Sequence, residues 1–214
     1  MKLELYFAPG ACSFVPHVGL EAIKASTGQD FEPKMVRLHK GEQKSPEYLA
    51  INPNGQVPVL VVDGKPLNQI VAICDFLDRG FPKAGLLPAA SWERAQALSR
   101  LAWMNNTVHP TFTQIFRTAD FVEGEAHQAE LKRHAVGRFR NLLRRLQDWA
   151  ASDAPRGIVH EAYSFTLLRW GGFAGIDPAS LPALKSYVEN AMQKPPVAAA
   201  LERERVKLDT YKGG

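Results

Sequence analysis

Cysteine is scarce in this chain, with two residues in 214. The formal net charge is +4. So few cysteines exclude the disulfide framework of a small secreted protein, and a reducing cytoplasm is the expected location. No apolar run approaches the ~20 residues of a membrane span. The N-terminal sequence MKLEL carries an acid and lacks the long apolar segment of a signal peptide. We therefore expect no membrane partner.

Acidic residues are outnumbered only in the second part of the chain. Residues 1–82 hold 8 Lys and Arg against 9 Asp and Glu, whereas residues 83–214 hold 18 against 13. The densest basic run lies between Lys132 and Arg145, where Val136, Phe139 and Leu142 recur at helical spacing. The solvated face of an amphipathic helix is favoured over a nucleic-acid surface, because no zinc-finger or RNA-binding motif accompanies the run. We expect no nucleic-acid partner.

Strand signals are confined to the first 82 residues. Alternating and β-branched segments predict strands, and amphipathic segments capped by Ser13 and following Leu67 predict helices. The expected strands cover 2–8, 31–38, 57–62 and a short hairpin partner ending at Leu67, and the expected helices cover 13–25 and 69–79. This order predicts an α/β domain over 1–82 with a mixed four-stranded sheet.

Beyond a linker at 83–90, rich in proline and glycine, only helical patterns occur. Ser91 is expected to cap a long helix towards Arg117, with a kink at Pro110. Further helices are expected at 125–151, 161–171, 182–192 and 197–205. The second domain, 91–214, is therefore predicted to be a helical bundle.

Cys12 stands just after the first strand, at the start of a helix. The positive end of a helix dipole lowers a thiol pKa, which predicts a reactive thiolate. Val15 follows three residues later, so no Cys-x-x-Cys pair exists and only a monothiol role is open. Cys74 lies within the apolar side of a helix and is expected to be an inert buried residue.

The segment Ile51-Asn-Pro-Asn-Gly-Gln-Val-Pro58 places a proline at the mouth of a strand. Alone it favours a trans proline on an edge strand, because cis bonds are a small minority. With Cys12 upstream, we favour a cis Val57–Pro58 bond, which would leave the N–H and C=O of Val57 free for a ligand.

Together these motifs resemble the glutathione S-transferase family, bacterial beta class, over essentially the whole chain. The segments that carry the resemblance are PGACS from Pro9, GEQKSPEYLAINPNGQVP from Gly41, AYSFTLLRW from Ala162 and KPPVAAAL from Lys194. It implies a thioredoxin-like first domain, a detoxifying transfer of the glutathione thiol to hydrophobic electrophiles, and a homodimer. Glutathione would be the co-substrate, and no metal is expected.

The resemblance also implies roles for individual residues. Cys12 and His109 would be catalytic. Glutathione would contact Gln56, Val57, Pro58, Gln69, Ile70 and Asn106. The electrophile would lie against Phe7, Phe112, Phe116, Tyr163 and Trp170, although aromatic residues at helical spacing are equally compatible with plain core.

Four positions depart from the family pattern. Gln69-Ile70 replaces an acidic residue followed by Ser or Gly, which removes a carboxylate partner for the γ-glutamyl ammonium. Phe7 stands where tyrosine is common, and Pro110 where lysine follows the histidine. Ile158-Val-His-Glu161 replaces a Ser/Thr-x-x-Asp capping box, so this helix needs another cap.

Two other functions remain open. Cys12 could form a mixed disulfide, which would make the protein a glutathione-dependent thiol-disulfide oxidoreductase. Alternatively, the loss of the acid at position 69 is compatible with a non-catalytic protein that binds hydrophobic ligands in a degenerate glutathione site.

Overall fold

A computed structural model describes residues 1–208 of the chain. Its first part is built on a four-stranded sheet in the order β2-β1-β3-β4. The strands are β1 (Leu3–Phe7), β2 (Glu32–Met35), β3 (Val59–Val62) and β4 (Lys65–Asn68). β1 pairs with β2 in parallel and with β3 antiparallel, and β3 pairs antiparallel with β4. The predicted mixed sheet and thioredoxin-like fold are confirmed.

Helices cover both faces of this sheet. α1 (Phe14–Thr27) and α3 (Ile70–Gly80) pack on one face, and the short α2 (Pro46–Ile51) lies with Tyr6 and Val59 on the other. Alternation along β1 explains this, because Leu3, Leu5 and Phe7 point to the α1 side. The bounds agree with the predicted elements to within a few residues, except that the second strand is shorter than expected.

The Val57–Pro58 peptide bond is cis, as predicted. The Asp63-Gly64 turn joins β3 to β4, with both residues at positive φ. Ser13 occupies the N-cap position of α1 as predicted, but its side chain does not cap the helix. Its hydroxyl instead accepts from the N–H of Ala8 at 3.1 Å and donates to the Ala8 carbonyl at 3.2 Å. This pair of bonds closes the loop between β1 and α1.

The remaining described chain contains only helical elements and their connections. These are α4 (Ser91–Trp103), α5 (His109–Phe116), α6 (Glu125–Ala150), α7 (Ile158–Phe173), α8 (Pro182–Met192) and α9 (Pro195–Glu204). A π-helical turn, Met104–Val108, separates α4 from α5 just before Pro110, where an interruption is expected because proline lacks a donor. Ser91 is the first residue of α4 rather than its cap, which is Ala90.

The two parts share one apolar core. Phe14 of α1 contacts Phe165 of α7 with ring centroids 5.0 Å apart, and both side chains are buried. Asp78 of α3 accepts a bond from the N–H of Leu87 at 3.0 Å and also pairs with Arg94 of α4. The domain bounds 1–82, 83–90 and 91–214 stay predictions, and residues 209–214 of the last lie outside the described part.

α7 begins at Ile158, three residues earlier than predicted, and it has an unexpected cap. The His160 ring lies with Nδ1 3.1 Å from the Gly157 N–H and Nε2 2.8 Å from the Ala97 carbonyl. Because a carbonyl only accepts, the neutral ring carries its proton on Nε2, and Nδ1 accepts from Gly157. The histidine thus provides the other cap that the loss of the Ser/Thr-x-x-Asp box requires, and it ties α7 to α4.

Candidate functional site

A small cleft lies where the first helix, the cis turn and the helical part of the chain meet. Its interior holds about 70 Å³. Its lining residues are mostly polar but uncharged, and they are Cys12, Asn52, Asn54, Gln56, Val57, Pro58, Asn68, Gln69, Ile70, Asn105 and His109. The structure therefore brings together both predicted catalytic residues and five of the six predicted glutathione contacts.

Cys12 sits on the floor of this cleft. Its thiol lies 3.5 Å from the carbonyl oxygen of Val57 and donates to it. Burial raises the pKa of the thiol to about 12, outweighing the backbone N–H groups of Cys12 and Ser13, which act in the opposite direction. The expected lowering of this pKa is therefore wrong, because desolvation exceeds the influence of the helix start. Near neutral pH Cys12 is a neutral thiol.

The turn that presents Val57 is held from beneath. The Tyr48 hydroxyl donates to the carbonyl of Gln56 at 2.7 Å, and the Asn52 side-chain amide donates to the same oxygen at 2.8 Å. The Oδ1 of Asn52 accepts from the N–H of Asn54 at 3.2 Å. Tyr48 and Asn52 were not predicted as site residues; the Asn-Pro-Asn-Gly turn was the only signal for this Asx turn.

The start of α3 forms a second wall. Gln69 has φ 71° and ψ 119°, and its side chain does not cap the helix. Ile70, the first helical residue, is buried, and its apolar side chain offers no hydrogen-bonding group. Because the Gln69 side chain does not cap the helix either, the first N–H groups of α3 lack a side-chain acceptor, and such a helix start favours a bound carboxylate.

His109 reaches the cleft from the first turn of α5. Its Nδ1 lies 2.8 Å from the Tyr163 hydroxyl, which in turn lies 3.3 Å from the Oδ1 of Asn105. Both bonds form at once when the hydroxyl donates to Asn105 and accepts from the Nδ1–H of His109, leaving Nε2 as an acceptor. Burial lowers the pKa of His109 to about 4, so the ring is neutral near pH 7.

Asn106, predicted to contact glutathione, does not line the cleft. Its side chain is exposed and accepts from the Thr107 hydroxyl at 2.7 Å, whereas Asn105 lines the cleft. Both residues lie in the π-helical turn, which widens the helix and changes which residues face inward. A regular helical period therefore does not identify which asparagine lines the cleft.

The predicted aromatic wall is only partly formed. Phe7 belongs to the core, 3% exposed, with its ring 5.0 Å from that of His17, so its placement in a pocket is wrong. Alternation along β1 turns it towards α1 rather than the cleft. Tyr163 is fully buried and is linked to the cleft through its bonds to His109 and Asn105, which line it.

Three aromatic residues form a stacked row beside the cleft. Trp170 and Phe112 stack with centroids 4.5 Å apart, and Phe112 stacks on Phe116 at 5.8 Å. The first two are buried, whereas Phe116 is 73% exposed. His109 meets the edge of Trp170 at 4.7 Å, so the row begins next to the cleft.

The loop that carries Cys12 is also held by the helical part. The N–H of Gly10 donates to Glu204 at 2.9 Å, and the indole N–H of Trp170 donates to the Gly10 carbonyl at 3.1 Å. Glu204 is buried, and its other oxygen lies 2.7 Å from Nδ1 of the buried His17. No motif identified His17 or Glu204, because they are 187 positions apart.

A larger depression of about 480 Å³ lies elsewhere, on the exposed face of α6. It is lined mainly by basic side chains, including Arg133, Arg138 and Arg145, and by none of the residues that line the Cys12 cleft. We regard the smaller cleft as the functional site because only it combines a thiol, a histidine and free backbone groups. Within residues 1–208, no group of three potential metal ligands and no helix able to span a membrane was found.

Comparisons with known proteins agree on one family. Residues 1–79 match the glutathione S-transferase N-terminal domain. The chain is 32% identical to glutathione S-transferase GST-4.5 of Xanthomonas campestris pv. campestris, covering 94% of this chain and 98% of that relative. A sphingomonad glutathione S-transferase solved with glutathione superposes with a TM-score of 0.81 at 33% identity, over 95% of this chain and 100% of the other. The bacterial beta class enzyme of Sphingomonas chungbukensis gives 0.79 at 30% identity, over 94% and 98%.

Proposed function

We propose that this chain, which belongs to the glutathione S-transferase family, joins the glutathione sulfur to an electrophilic carbon. In that reaction the thiol loses its proton to solvent, its sulfur forms the new carbon–sulfur bond, and the leaving group departs with the bonding electrons. One observation carries the proposal: a single cleft contains the Cys12 thiol, the Val57 backbone and the uncapped start of α3.

Glutathione would bind with its thiol end in the cleft. A volume of about 70 Å³ suits a few heavy atoms, so the rest of the tripeptide would lie across the exposed rim at Gln56 and Gln69. The Val57 backbone would pair with the cysteinyl unit as an added strand does. The first N–H groups of α3 would receive a carboxylate. This arrangement juxtaposes the sulfur and the electrophile.

Cys12 would act as a hydrogen-bond donor to the glutathione thiolate. Its raised pKa, about 12, keeps the thiol protonated at neutral pH, and a neutral S–H can donate whereas it is a poor nucleophile. The thiol already donates to the Val57 carbonyl, and the glutathione thiolate would compete with that carbonyl for the S–H. This favours the transferase over a thiol-disulfide oxidoreductase, in which Cys12 would attack a disulfide as a thiolate.

The electrophile would bind against the stacked aromatic row. Phe116 presents an exposed ring face at the outer end of the row, and such faces stack with planar aromatic groups. His109 lies between the row and the cleft, and its neutral ring would offer Nε2 as a hydrogen-bond acceptor. A binding protein without activity would use the same surface, so activity must decide between the two.

The test is conjugation of chlorodinitrobenzene at millimolar glutathione by wild type, Cys12→Ala, Cys12→Ser and Cys74→Ala. We expect Cys12→Ala to lower kcat/KM by about 10-fold or more, because it removes a donor to a charged sulfur. Cys12→Ser keeps a donor and should retain most of the activity. Cys74, buried in α3 away from the cleft, is the matched control and should behave as wild type.

Absence of conjugation by wild type would refute the transferase. Reduction of a glutathione mixed disulfide by wild type, lost in both Cys12 variants, would instead support the oxidoreductase. Glutathione binding with neither activity would support the ligand-binding protein.

We also propose a cytoplasmic homodimer. Both cysteines are free thiols, which suits a reducing compartment. Large apolar side chains are exposed in each part of the chain, among them Leu38 and Leu49 in the first and Trp92, 70% exposed, in the second. Contacts between the first domain of one subunit and the helical domain of its partner would cover such surfaces, and light scattering would measure the mass.

A further inference from the structure

Gly10, which precedes Cys12 in the loop after β1, is held through both of its backbone groups by the helical part of the chain. Its N–H donates to Glu204 of α9 at 2.9 Å, and its carbonyl accepts from the indole N–H of Trp170 in α7 at 3.1 Å. Its φ is 71°, in the left-handed region that favours glycine. A Cβ here would lie 2.7 Å from Nη1 of Arg169, so the guanidinium also lies against the turn. The position of the Cys12 loop therefore depends on contacts with distant parts of the chain.

The Glu204 carboxylate reaches the chain on both sides of Cys12. One oxygen accepts from Gly10, and the other lies 2.7 Å from Nδ1 of His17, in the helix that follows Cys12. Both contacts form at once when the carboxylate accepts from the Gly10 N–H and from the Nδ1–H of the histidine. The side chains of Glu204 and His17 are fully buried, and bonds to a buried carboxylate are stronger than those between neutral groups. The carboxylate thus joins the loop before the thiol to the helix after it.

His17 fixes the orientation of this carboxylate. Its ring packs against Phe7 with centroids 5.0 Å apart and against Phe31 at 5.7 Å. Among the described residues, Nε2 has no hydrogen-bond partner, and it lies 3.8 Å from Oε1 of Glu21. Because a buried ring between two aromatic side chains cannot turn freely, the direction of its Nδ1–H determines where the Glu204 carboxylate lies.

We propose that Glu204 is a positioning residue for the transfer reaction, which acts by holding the Cys12 thiol where it meets the glutathione sulfur. The inference rests on the proposed function, since it concerns the same thiol. Glu204 does not line the cleft, so it acts only through the Gly10 loop and α1. A hydrogen bond weakens steeply when its donor is displaced or turned, so a shift of the loop by about 1 Å would weaken the bond from Cys12 to the sulfur.

Conjugation of chlorodinitrobenzene, measured in a double-mutant cycle, tests whether Glu204 acts through Cys12. We expect Glu204→Ala to lower kcat/KM by about fivefold when Cys12 is present and by less than about twofold in the Cys12→Ala background, because the effects of two residues that act through one bond are not additive. Glu204→Gln should stay within about threefold of wild type, since its carboxamide can accept from Gly10 and donate to Nδ1 of a neutral His17.

The matched control is Glu21→Ala. It removes another buried contact between α1 and α9, the 3.0 Å bond from Nε of Arg203, without touching Gly10. It should leave kcat/KM within about twofold of wild type, because the Cys12 loop keeps its partners. If Glu204→Ala does not fold, Glu204→Asp takes its place, since it keeps the charge but is one methylene too short to reach both partners.

Alkylation of Cys12 by iodoacetamide measures the same positioning without catalysis. In a Cys74→Ala background at pH 8, we expect Glu204→Ala to raise the rate by about fivefold or more. A loosened loop hydrates the thiol, which reverses part of the rise that burial imposes on its pKa. Glu204→Gln and Glu21→Ala should stay within about twofold of the Cys74→Ala protein.

The outcomes separate this inference from the proposed function. Equal losses of activity in both Cys12 backgrounds would overturn the inference and leave Glu204 with a structural role alone. An alkylation rate unchanged by Glu204→Ala would also overturn it, and equal effects of Glu21→Ala would overturn the assignment to Glu204. A wild type without conjugation refutes the transferase, whereas the alkylation rates still decide whether Glu204 holds the thiol in place.

Discussion

His160 gives the sharpest test of how α7 is held. Its neutral ring makes two bonds in opposite directions, accepting from the Gly157 N–H at 3.1 Å and donating to the Ala97 carbonyl at 2.8 Å. The side chain is fully buried and packs on Trp149 with centroids 5.6 Å apart. We predict that replacing it destabilises the protein and changes the pH dependence of its stability.

The expected magnitude follows from the bonds and packing that are lost. His160→Ala removes a helix-cap acceptor, about 1 kcal/mol, together with the buried bond to the Ala97 carbonyl and the ring contact with Trp149, about 1–2 kcal/mol more. A total of 2–3 kcal/mol corresponds to a fall in Tm of about 4–12 °C for a chain of this size. His160→Asn keeps an acceptor near the Nδ1 position and should cost only the second part.

The pH dependence follows from the direction of the pKa shift. Burial lowers the pKa of His160, and the nearby Arg156 and Arg100 act in the same direction, whereas its bonds to Ala97 and Gly157 oppose them. An unfolded histidine has a pKa of about 6.5. As pH falls below that value the unfolded state takes up the proton first, so the stability is complete above about 6.5 and declines below it. The slope is at most about 1.4 kcal/mol per pH unit.

The assay is urea unfolding of wild type, His160→Ala, His160→Asn and the exposed control His127→Asn at pH 7.5 and 5.5. His109, also buried and neutral, contributes in the same direction to all four proteins, so the difference between wild type and His160→Asn isolates His160. The control should lie within about 0.5 kcal/mol of wild type at pH 7.5. Equal pH slopes in wild type and His160→Asn, or a loss below about 0.5 kcal/mol in His160→Ala, would refute the reasoning.

Two further predictions concern a glycine and the site thiol. Gly157→Ala should lower the free energy of unfolding, measured in urea, by about 3 kcal/mol or more, because the added Cβ would lie 1.9 Å from the Leu86 carbonyl oxygen. The control Gly137→Ala, which has open space around it in α6, should instead raise the free energy of unfolding by about 0.5–1 kcal/mol. In a Cys74→Ala background, iodoacetamide should alkylate Cys12 at least 10-fold more slowly at pH 8 than a free cysteine, because the thiolate is scarce; rapid alkylation below pH 7 would contradict the burial effect.

The elements of this fold were largely predictable because their signals are local. Alternation along β1, the Asp63-Gly64 turn and the apolar stripe of α6 each depend on neighbouring residues, and each element was found close to its predicted position. The early start of α7 was not predicted, because it depends on a hydrogen bond between His160 and Ala97, which are 63 positions apart. A histidine in a first turn carries no capping signal until its distant partner is known.

The residues of the candidate site show the same difference between local and long-range signals. Cys12, Val57 and Gln69 were identified because each lies next to a strand end or a helix start. Asn105 was missed in favour of Asn106, because the π-helical turn shifts the facing residue by one position. Glu204, which holds Gly10 in the Cys12 loop, was missed because only the folded chain brings α9 to the first loop.

The pKa of Cys12 shows why the chemistry of a site is harder to predict than its position. The helix start and the burial of the thiol act in opposite directions, and only the first is visible in the sequence. The second depends on the folded chain placing Val57 and His109, which come from two other regions of the sequence, around the thiol. Because burial prevails, the prediction of a reactive thiolate gives way to a neutral donor. The inference from a cysteine at a helix start to a nucleophile therefore holds only where the folded chain leaves the sulfur hydrated.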